Sequence, residues 1–411
     1  MKNNKYYRVY AEINLDAIVK NVDNLMALTK ENTGALAVVK ADGYGHGDVA
    51  VAKAVAQKVT GYAVATLDEA VNLRENGVKK PILVLGYVDP YEFDILVSHE
   101  ITATVFDVET AQLLADAARV QKKQAHCHIK VDTGMRRIGL EPDENGIAIV
   151  KQITALKELS ADGIFTHFAA SDETDKTSAE HQFKLFTDFT GRLEKEGIHF
   201  TYRHCANSAA VIDMPQVDLD MVRLGIAMYG MYPSDEVKKE KVELFPALDL
   251  KSHITMVKEI PAGEKVSYGG TFTTIPAGTQ ISYGRTYTAE KEMTVAVIPI
   301  GYADGYFRDF SSKGKMLING VLCNVVGRVC MDQMMVDVTD IENVTRADIV
   351  TLIGKDGDAE ITVEEIAALA GTFNYEFVCD LGKRIPRSYY LNGEYIGTHD
   401  CFRENWNLKN L

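Results

Sequence analysis

Lys40 closes an apolar run, Ala37-Val38-Val39, and opens a stretch broken by alternating glycines, Ala41-Asp42-Gly43-Tyr44-Gly45-His46-Gly47. Glycines at every second position let a chain turn sharply and approach a ligand closely, so a primary amine is held at a strand end beside a phenol and an imidazole. An amine so placed suits a Schiff base with a carbonyl compound. A surface lysine before an ordinary turn would use the same residues, so the stretch takes its meaning from the rest of the chain.

Further segments carry reactive side chains: Lys130-Val131-Asp132-Thr133-Gly134-Met135-Arg136-Arg137, Thr166-His167-Phe168-Ala169, His204-Cys205-Ala206-Asn207-Ser208, Met221-Val222-Arg223-Leu224-Gly225-Ile226, Ser282-Tyr283-Gly284-Arg285 and Cys330-Met331-Asp332-Gln333. In this order, with the Lys40 stretch, they resemble the alanine racemases, pyridoxal-phosphate enzymes that interconvert L- and D-alanine. The resemblance runs from about residue 10 to about residue 387 and is specific, because several unrelated motifs occur in family order. Racemising an amino acid means removing a tightly held α-proton, and pyridoxal 5'-phosphate provides the electron sink. The protein must add a Schiff-base lysine, a phosphate grip, a group at the pyridine nitrogen and a base on each face.

The resemblance implies a two-base mechanism on the aldimine of pyridoxal phosphate. Lys40 is the Schiff-base lysine and one base, and Tyr283 is the other, helped by a hydrogen bond from the position of His167. An unperturbed phenol, with a pKa near 10, is a poor base without such help. Arg223 matches the arginine that faces the pyridine nitrogen, and it can donate there but not protonate. His204 matches the histidine that orients it. Ser208, the amides of Gly225 and Ile226, and the hydroxyls of Tyr44 and Tyr375 match the phosphate contacts. Arg137, with Met331 and Asp332, matches the substrate-carboxylate site, where a planar fork suits a carboxylate. Arg136 adjoins it, and the sequence leaves open which arginine points inward. Lys130 matches a lysine carbamylated in some relatives, with a plain lysine as the default here. Family members are homodimers in which the β domain of one subunit serves the barrel of the other, so the resemblance implies a homodimer with shared sites.

Those residues need elements to position them. Eight short apolar runs, residues 35–40, 62–66, 82–85, 102–106, 126–131, 163–167, 201–205 and 221–224, alternate with helical patterns. Repeated β-α units of that number close a TIM-type (β/α)8 barrel, whose chemistry gathers at the carboxyl ends of its strands. Lys40, His167, His204 and Arg223 fall at or near such ends. Asn14 can cap a first helix carrying Ile18, Val22 and Leu25 on one face, and Asp107 a second. After about Met231 the pattern turns to strands, with Asn319-Gly320 as a hairpin signal and Thr362 with Glu365 as a capping box. The reading is an α/β chain: a pyridoxal-phosphate-binding barrel, residues 1–244, and a mainly β domain, residues 245–411. Residues 260–274 and 275–289 share nine of fifteen positions, a local duplication that places Tyr268 where the second copy has Tyr283. Tyr283 is preferred, because its copy runs directly into Ile298-Pro299-Ile300-Gly301-Tyr302-Ala303-Asp304-Gly305 as in the racemases, whereas the first copy keeps the upstream Glu259.

With 411 residues, 46% hydrophobic, the chain has material for two packed cores. A formal charge of −14 excludes a basic nucleic-acid footprint. A polar start, no long apolar span and six dispersed cysteines point to a cytoplasmic protein without membrane partner, disulfide frame or zinc site. His126 and His128 share a strand face but lack a third ligand at suitable spacing, so no metal is expected. The substrate is a small amino acid, and D-alanine for cell-wall peptidoglycan is the implied product. Tyr375 fills the place that narrows the pocket in alanine-type enzymes, which favours alanine over a serine or broad-specificity racemase. A non-catalytic pyridoxal-phosphate homeostasis protein would lack the β domain, and a related decarboxylase would carry acidic and cysteine motifs absent here.

Overall fold

The computed structural model describes residues 8–260, 279–281, 287–289 and 293–402. They fall into two units, Leu15–Pro246 and the flanking Met1–Asn14 with Ala247–Leu411. Strand β1 (Val9–Asn14) belongs to the second unit. The first unit is built on β2 (Gly34–Val38), β3 (Gly61–Val64), β4 (Ile82–Val84), β5 (Ala103–Val105), β6 (Ala125–Lys130), β7 (Leu159–Phe165), β8 (Tyr202–His204) and β9 (Met221–Leu224). They pair in parallel in the order β4-β3-β2-β9-β8-β7-β6-β5. A parallel bridge between Leu83 and Thr102 closes the ring, with Val84 N donating to Thr102 O at 3.0 Å and Thr102 N to Ile82 O at 2.9 Å.

This is the expected barrel, and each of the eight apolar runs supplies one strand. Strands covered on both faces read as continuous apolar runs, and β3, β4, β5 and β9 are buried at every residue. Asp107 caps its helix by accepting from Thr110 N at 2.7 Å. Helix Leu15–Met26 buries Ile18, Val22 and Leu25. It packs on the short 3₁₀ turn Ile226–Tyr229 that follows β9, where a short turn replaces a final helix. Buried Asn21 fastens that contact, donating to Met228 O at 3.1 Å and Phe245 O at 2.8 Å and accepting from Phe245 N at 2.8 Å.

The second unit is mainly β. Its main sheet holds β1 between β10 (Leu248–His253), antiparallel, and β20 (Arg387–Leu391), parallel. The boundary drawn from the sequence, a barrel of residues 1–244, puts residues 8–14 with the barrel. The structure instead makes them an inner strand of the β unit, where Val9, Ala11 and Ile13 are fully buried. No turn separates Asn14 from the helix at Leu15, so the change of unit leaves no local mark. Outward from β10 lie β18 (Ile349–Asp356), β15 (Lys315–Ile318) and β16 (Val321–Asn324). Asn319 and Gly320, with φ of 52° and 77°, form the expected two-residue turn from β15 to β16. A second sheet joins β11 (Met256–Ile260), β14 (Met293–Ile298) and β17 (Met334–Asp337). Thr362 and Glu365 make the capping box before helix Val363–Leu369.

Candidate active site

At the carboxyl end of β2 the chain does something unusual. Ala41, Asp42, Gly43 and Tyr44 have φ of 52°, 53°, 59° and 52°, one left-handed turn directly after Lys40. For L-residues this conformation costs about 1–2 kcal/mol each, so three non-glycine residues need outside support. Backbone bonds supply part of it, Gly43 N to Val39 O at 2.9 Å and Gly45 N to Ala41 O at 3.0 Å. Asp42 Oδ1 accepts from Asp48 N at 3.3 Å, and Glu69 Oε1 accepts from Ala41 N at 2.7 Å. A Cβ at Gly43 would stand 3.1 Å from Asp48 N, so glycine serves there both its φ and a close approach. Lys40 itself is half-buried.

On the neighbouring strand β9, which pairs directly with β2, Arg223 is 3% exposed. Its Nη1 donates to His204 Nδ1 at 2.9 Å, and its Nη2 contacts Cys205 O at 2.8 Å, Thr166 O at 3.0 Å and His167 Nδ1 at 3.0 Å. Because a guanidinium only donates, both imidazoles accept through Nδ1 and carry their proton on Nε2. His204 Nε2 lies 2.9 Å from His128 Nδ1, so it donates there and fixes the tautomer of a third ring, buried like that of His204. Burial, reinforced by the charge of Arg223, holds His167 and His204 well below their ordinary pKa, and burial pushes His128 down to about 4. All three are neutral at pH 7. Burial draws Arg223 down to about 10, which leaves it charged. Its Nε makes no hydrogen bond among the described residues.

Beside it, Ser208 Oγ accepts from Gly225 N at 2.9 Å. A Cβ on Gly225 would sit 3.3 Å from Tyr44 Oη and 3.6 Å from Ser208 Oγ, so the missing side chain leaves a hollow rimmed by two hydroxyls. Ile226 is buried, and its N–H finds no acceptor among the described residues. Lys130 is 3% exposed, its Nζ donating to Val131 O at 2.7 Å and standing 5.5 Å from the centre of the Phe165 ring. Burial, then Arg223 and Arg137, lowers its pKa to about 7. Arg136 turns out to Glu141, while Arg137 acts electrostatically on His167 and Lys130. Four cationic side chains, Arg223, Arg137, Lys130 and Lys40, bear on His167. The nearby Asp132 is engaged by the N–H groups of Gly134 at 2.9 Å and Arg136 at 3.0 Å. Such a field suits anions.

The barrel thus brings together Lys40, Tyr44, Arg137, His167, His204, Ser208, Arg223, Gly225 and Ile226. Met331, Asp332 and Tyr375 lie in the β unit. Met331 is exposed, Asp332 pairs with Arg384 at 2.6 Å, and the Tyr375 ring lies 5.5 Å from that of Phe373. Tyr283 and Tyr268 fall outside the described residues. His126 and His128 do not share an environment: a register shift between Cys127 and His128 accompanies an exposed His126, paired with Asp162, and a buried His128. Among the described residues no three His, Cys, Asp or Glu side chains converge as a metal site, and no helix is long and apolar enough to cross a membrane. The sequence presents His128 only as a candidate metal ligand and gives no sign of its bond to His204, nor of the place of Glu69 beside Lys40. Glu69 left only the Thr66-x-x-Glu69 spacing of a capping box.

Residues 13–233 match the alanine racemase N-terminal domain and residues 272–389 the alanine racemase C-terminal domain. An alanine racemase of Desulforamulus reducens is 47% identical over 382 residues, 93% of this chain and 98% of that protein. The structure of an alanine racemase of Clostridium difficile 630 is similar with a TM-score of 0.89 and 39% identity, covering 96% of this chain and 99% of the other. A histidine racemase of Leuconostoc mesenteroides subsp. sake is similar with a TM-score of 0.83 and 28% identity, covering 95% and 100%.

Proposed function

This chain belongs to the alanine racemase family, and from that premise we propose that it interconverts L-alanine and D-alanine with pyridoxal 5'-phosphate, supplying D-alanine for peptidoglycan. The observation that carries the reading is Arg223: a buried guanidinium without an ion-pair partner among the described residues, bonded to two neutral histidines in the same barrel as Lys40. The residues fit the cofactor. The buried N–H of Ile226 and the hollow at Gly225 between two hydroxyls match a phosphate, and the remaining Nε–H of Arg223 matches a pyridine nitrogen. When bound, pyridoxal phosphate supplies the electron sink that makes an α-proton removable.

Lys40 Nζ would hold the cofactor, and Ser208, Gly225, Ile226 and Tyr44, with Tyr375 of the β unit, would hold its phosphate. Arg223 would donate a hydrogen bond to the ring nitrogen while keeping its own proton, and so would leave that nitrogen unprotonated. Lys40 Nζ and Tyr283 Oη carry the proton on opposite faces, one for each enantiomer. His167, with Nδ1 bonded to Arg223, has its Nε2–H left to bond the phenol. Arg137 receives the substrate carboxylate, with Met331 and Asp332 completing that side. Two copies of the chain assemble so that Tyr283 of one serves the barrel of the other, as the family resemblance implies.

A relative of the same fold that is named a histidine racemase makes substrate choice the first test. Purified protein is incubated in heavy water with L-alanine, L-serine and L-histidine, and the enantiomers and α-deuterium are quantified. Alanine turning over fastest, with deuterium at its α-carbon, is the expected result. A preference for another amino acid, or racemisation without solvent exchange, overturns the reading.

A further inference from the structure

We propose that Glu69 is a positioning residue for Lys40, its carboxylate clamping together the ends of β2 and β3 and holding the peptide from which the amine projects. The proposal rests on the reading that Lys40 carries the cofactor. The parallel ladder between these strands stops with Val39 N donating to Ala63 O at 2.9 Å. Beyond it the chains separate, one into the left-handed turn and the other toward helix Leu67–Glu75. Glu69 takes over from the ladder. Its Oε1 accepts from Ala41 N at 2.7 Å, and its Oε2 accepts from Ala65 N at 2.7 Å and Thr66 N at 3.3 Å.

A capping box asks the glutamate only to reach the N-cap N–H, here the longest of the three bonds. The two short ones go elsewhere, and the bond to Ala41 reaches back across the chain to the residue after Lys40. Short bonds from N–H to an ionised carboxylate are the strong kind. The Ala41 N–H belongs to the peptide plane that ends the rotation about Lys40 Cα–C, so fixing it fixes the backbone of Lys40. Ala41 is also the first residue of the left-handed turn, which an unanchored chain would relax. The helix that carries Glu69 is held by its buried face of Leu67, Ala70 and Leu73, and the clamp itself uses only backbone N–H groups.

The test compares full-length wild type, Glu69→Gln and Thr66→Ala, each stripped of and titrated with pyridoxal phosphate. Three quantities are read: amide exchange of the peptide spanning Ala41 before loading, the dissociation constant for pyridoxal phosphate, and the urea midpoint. Glu69→Gln keeps the shape but cannot accept from both strand ends. It is expected to speed Ala41 exchange and weaken pyridoxal phosphate capture about tenfold, the lower end for a charged hydrogen bond within reach of water. Thr66→Ala removes the helix cap and leaves the clamp, so its urea midpoint falls while capture stays within about twofold of wild type. If the Gln variant does not fold, Glu69→Asp, one methylene too short to span, is read for the same exchange and capture. Ala41 exchange and capture at wild-type values in the Glu69 variant, or equal capture losses in the Glu69 and Thr66 variants, overturn the proposal. Absence of a borohydride-reducible adduct on Lys40 in wild type would instead overturn the functional reading, and Ala41 exchange would still judge the clamp.

Discussion

His128→Leu tests the buried histidine chain. In the wild type, His128, His167 and His204 all stay neutral in the fold well below the ordinary histidine pKa of 6.5. The sign is set by proton counting: a histidine held below its unfolded pKa binds its proton only on unfolding. Its contribution is therefore fully present above 6.5 and is lost as pH falls toward the folded value. Each such group lowers stability by up to about 1.4 kcal/mol per pH unit below 6.5, and for His128 that fall ends near pH 4, where the ring itself protonates. Replacing His128 removes one of the three, so the acid slope of the variant is shallower by about 1.4 kcal/mol per unit. At pH 7 the variant starts lower, because the buried Nε2–H of His204 loses its acceptor, at about 1–3 kcal/mol. The two stability curves therefore converge as the solution is acidified. Urea unfolding of the cofactor-free protein from pH 7.5 to pH 4.5 measures both. Parallel curves, or ¹⁵N shifts placing the His204 proton on Nδ1, would refute the tautomer chain.

Other outcomes follow from the same geometry. Lys40→Ala is expected to lose the yellow absorbance of a lysine-bound cofactor and racemisation with it, whereas a variant that stays yellow and active contradicts the role given to that amine. Tyr283→Phe should slow proton abstraction from one enantiomer by about 10²-fold or more, while Tyr268→Phe leaves it near wild type, as primary deuterium effects in each direction would report. The reverse ranking transfers the role to the first copy of the duplicated segment. The exposed His126–Asp162 pair raises the histidine pKa, chiefly through their hydrogen bond, so its stabilisation is present below 6.5 and is lost as pH rises through the raised value. Denaturation of His126→Ala should show a deficit of about 0.2–1 kcal/mol at pH 6 that shrinks toward pH 9. A deficit that does not change with pH would assign it to packing instead.

The barrel was legible because parallel strands covered on both faces leave uninterrupted apolar runs, such as Leu36-Ala37-Val38-Val39, and eight of them in alternation with helical patterns is the number that closes a barrel. Turn chemistry was equally local: Asn319-Gly320 and the box of Thr362 with Glu365 sit where their backbone preferences put them. Other features were invisible. Nothing in Ala41, Asp42 or Tyr44 announces a left-handed turn, since the glycines between them account for a bend without it. Arg136 and Arg137 are chemically identical and both exposed, and only the positive φ of Arg136, 56°, its pairing with Glu141 and the reach of the Arg137 charge to His167 tell them apart.

Sequence by itself determined which chemistry is at hand: a lysine, an arginine and imidazoles at or near the ends of four strands, in the order of one family, because residue type and spacing along the chain are local properties. Tertiary structure alone decided how those groups are tuned. The neutrality of three histidines, the pull of Lys130 down to about 7 and the clamp of Glu69 on Ala41 depend on which distant residues share a desolvated volume, and burial and Coulomb interactions act through space. It also decided that Val9–Asn14 forms an inner strand of the β unit, because pairing partners for a strand are found across the fold and carry no mark in the strand itself.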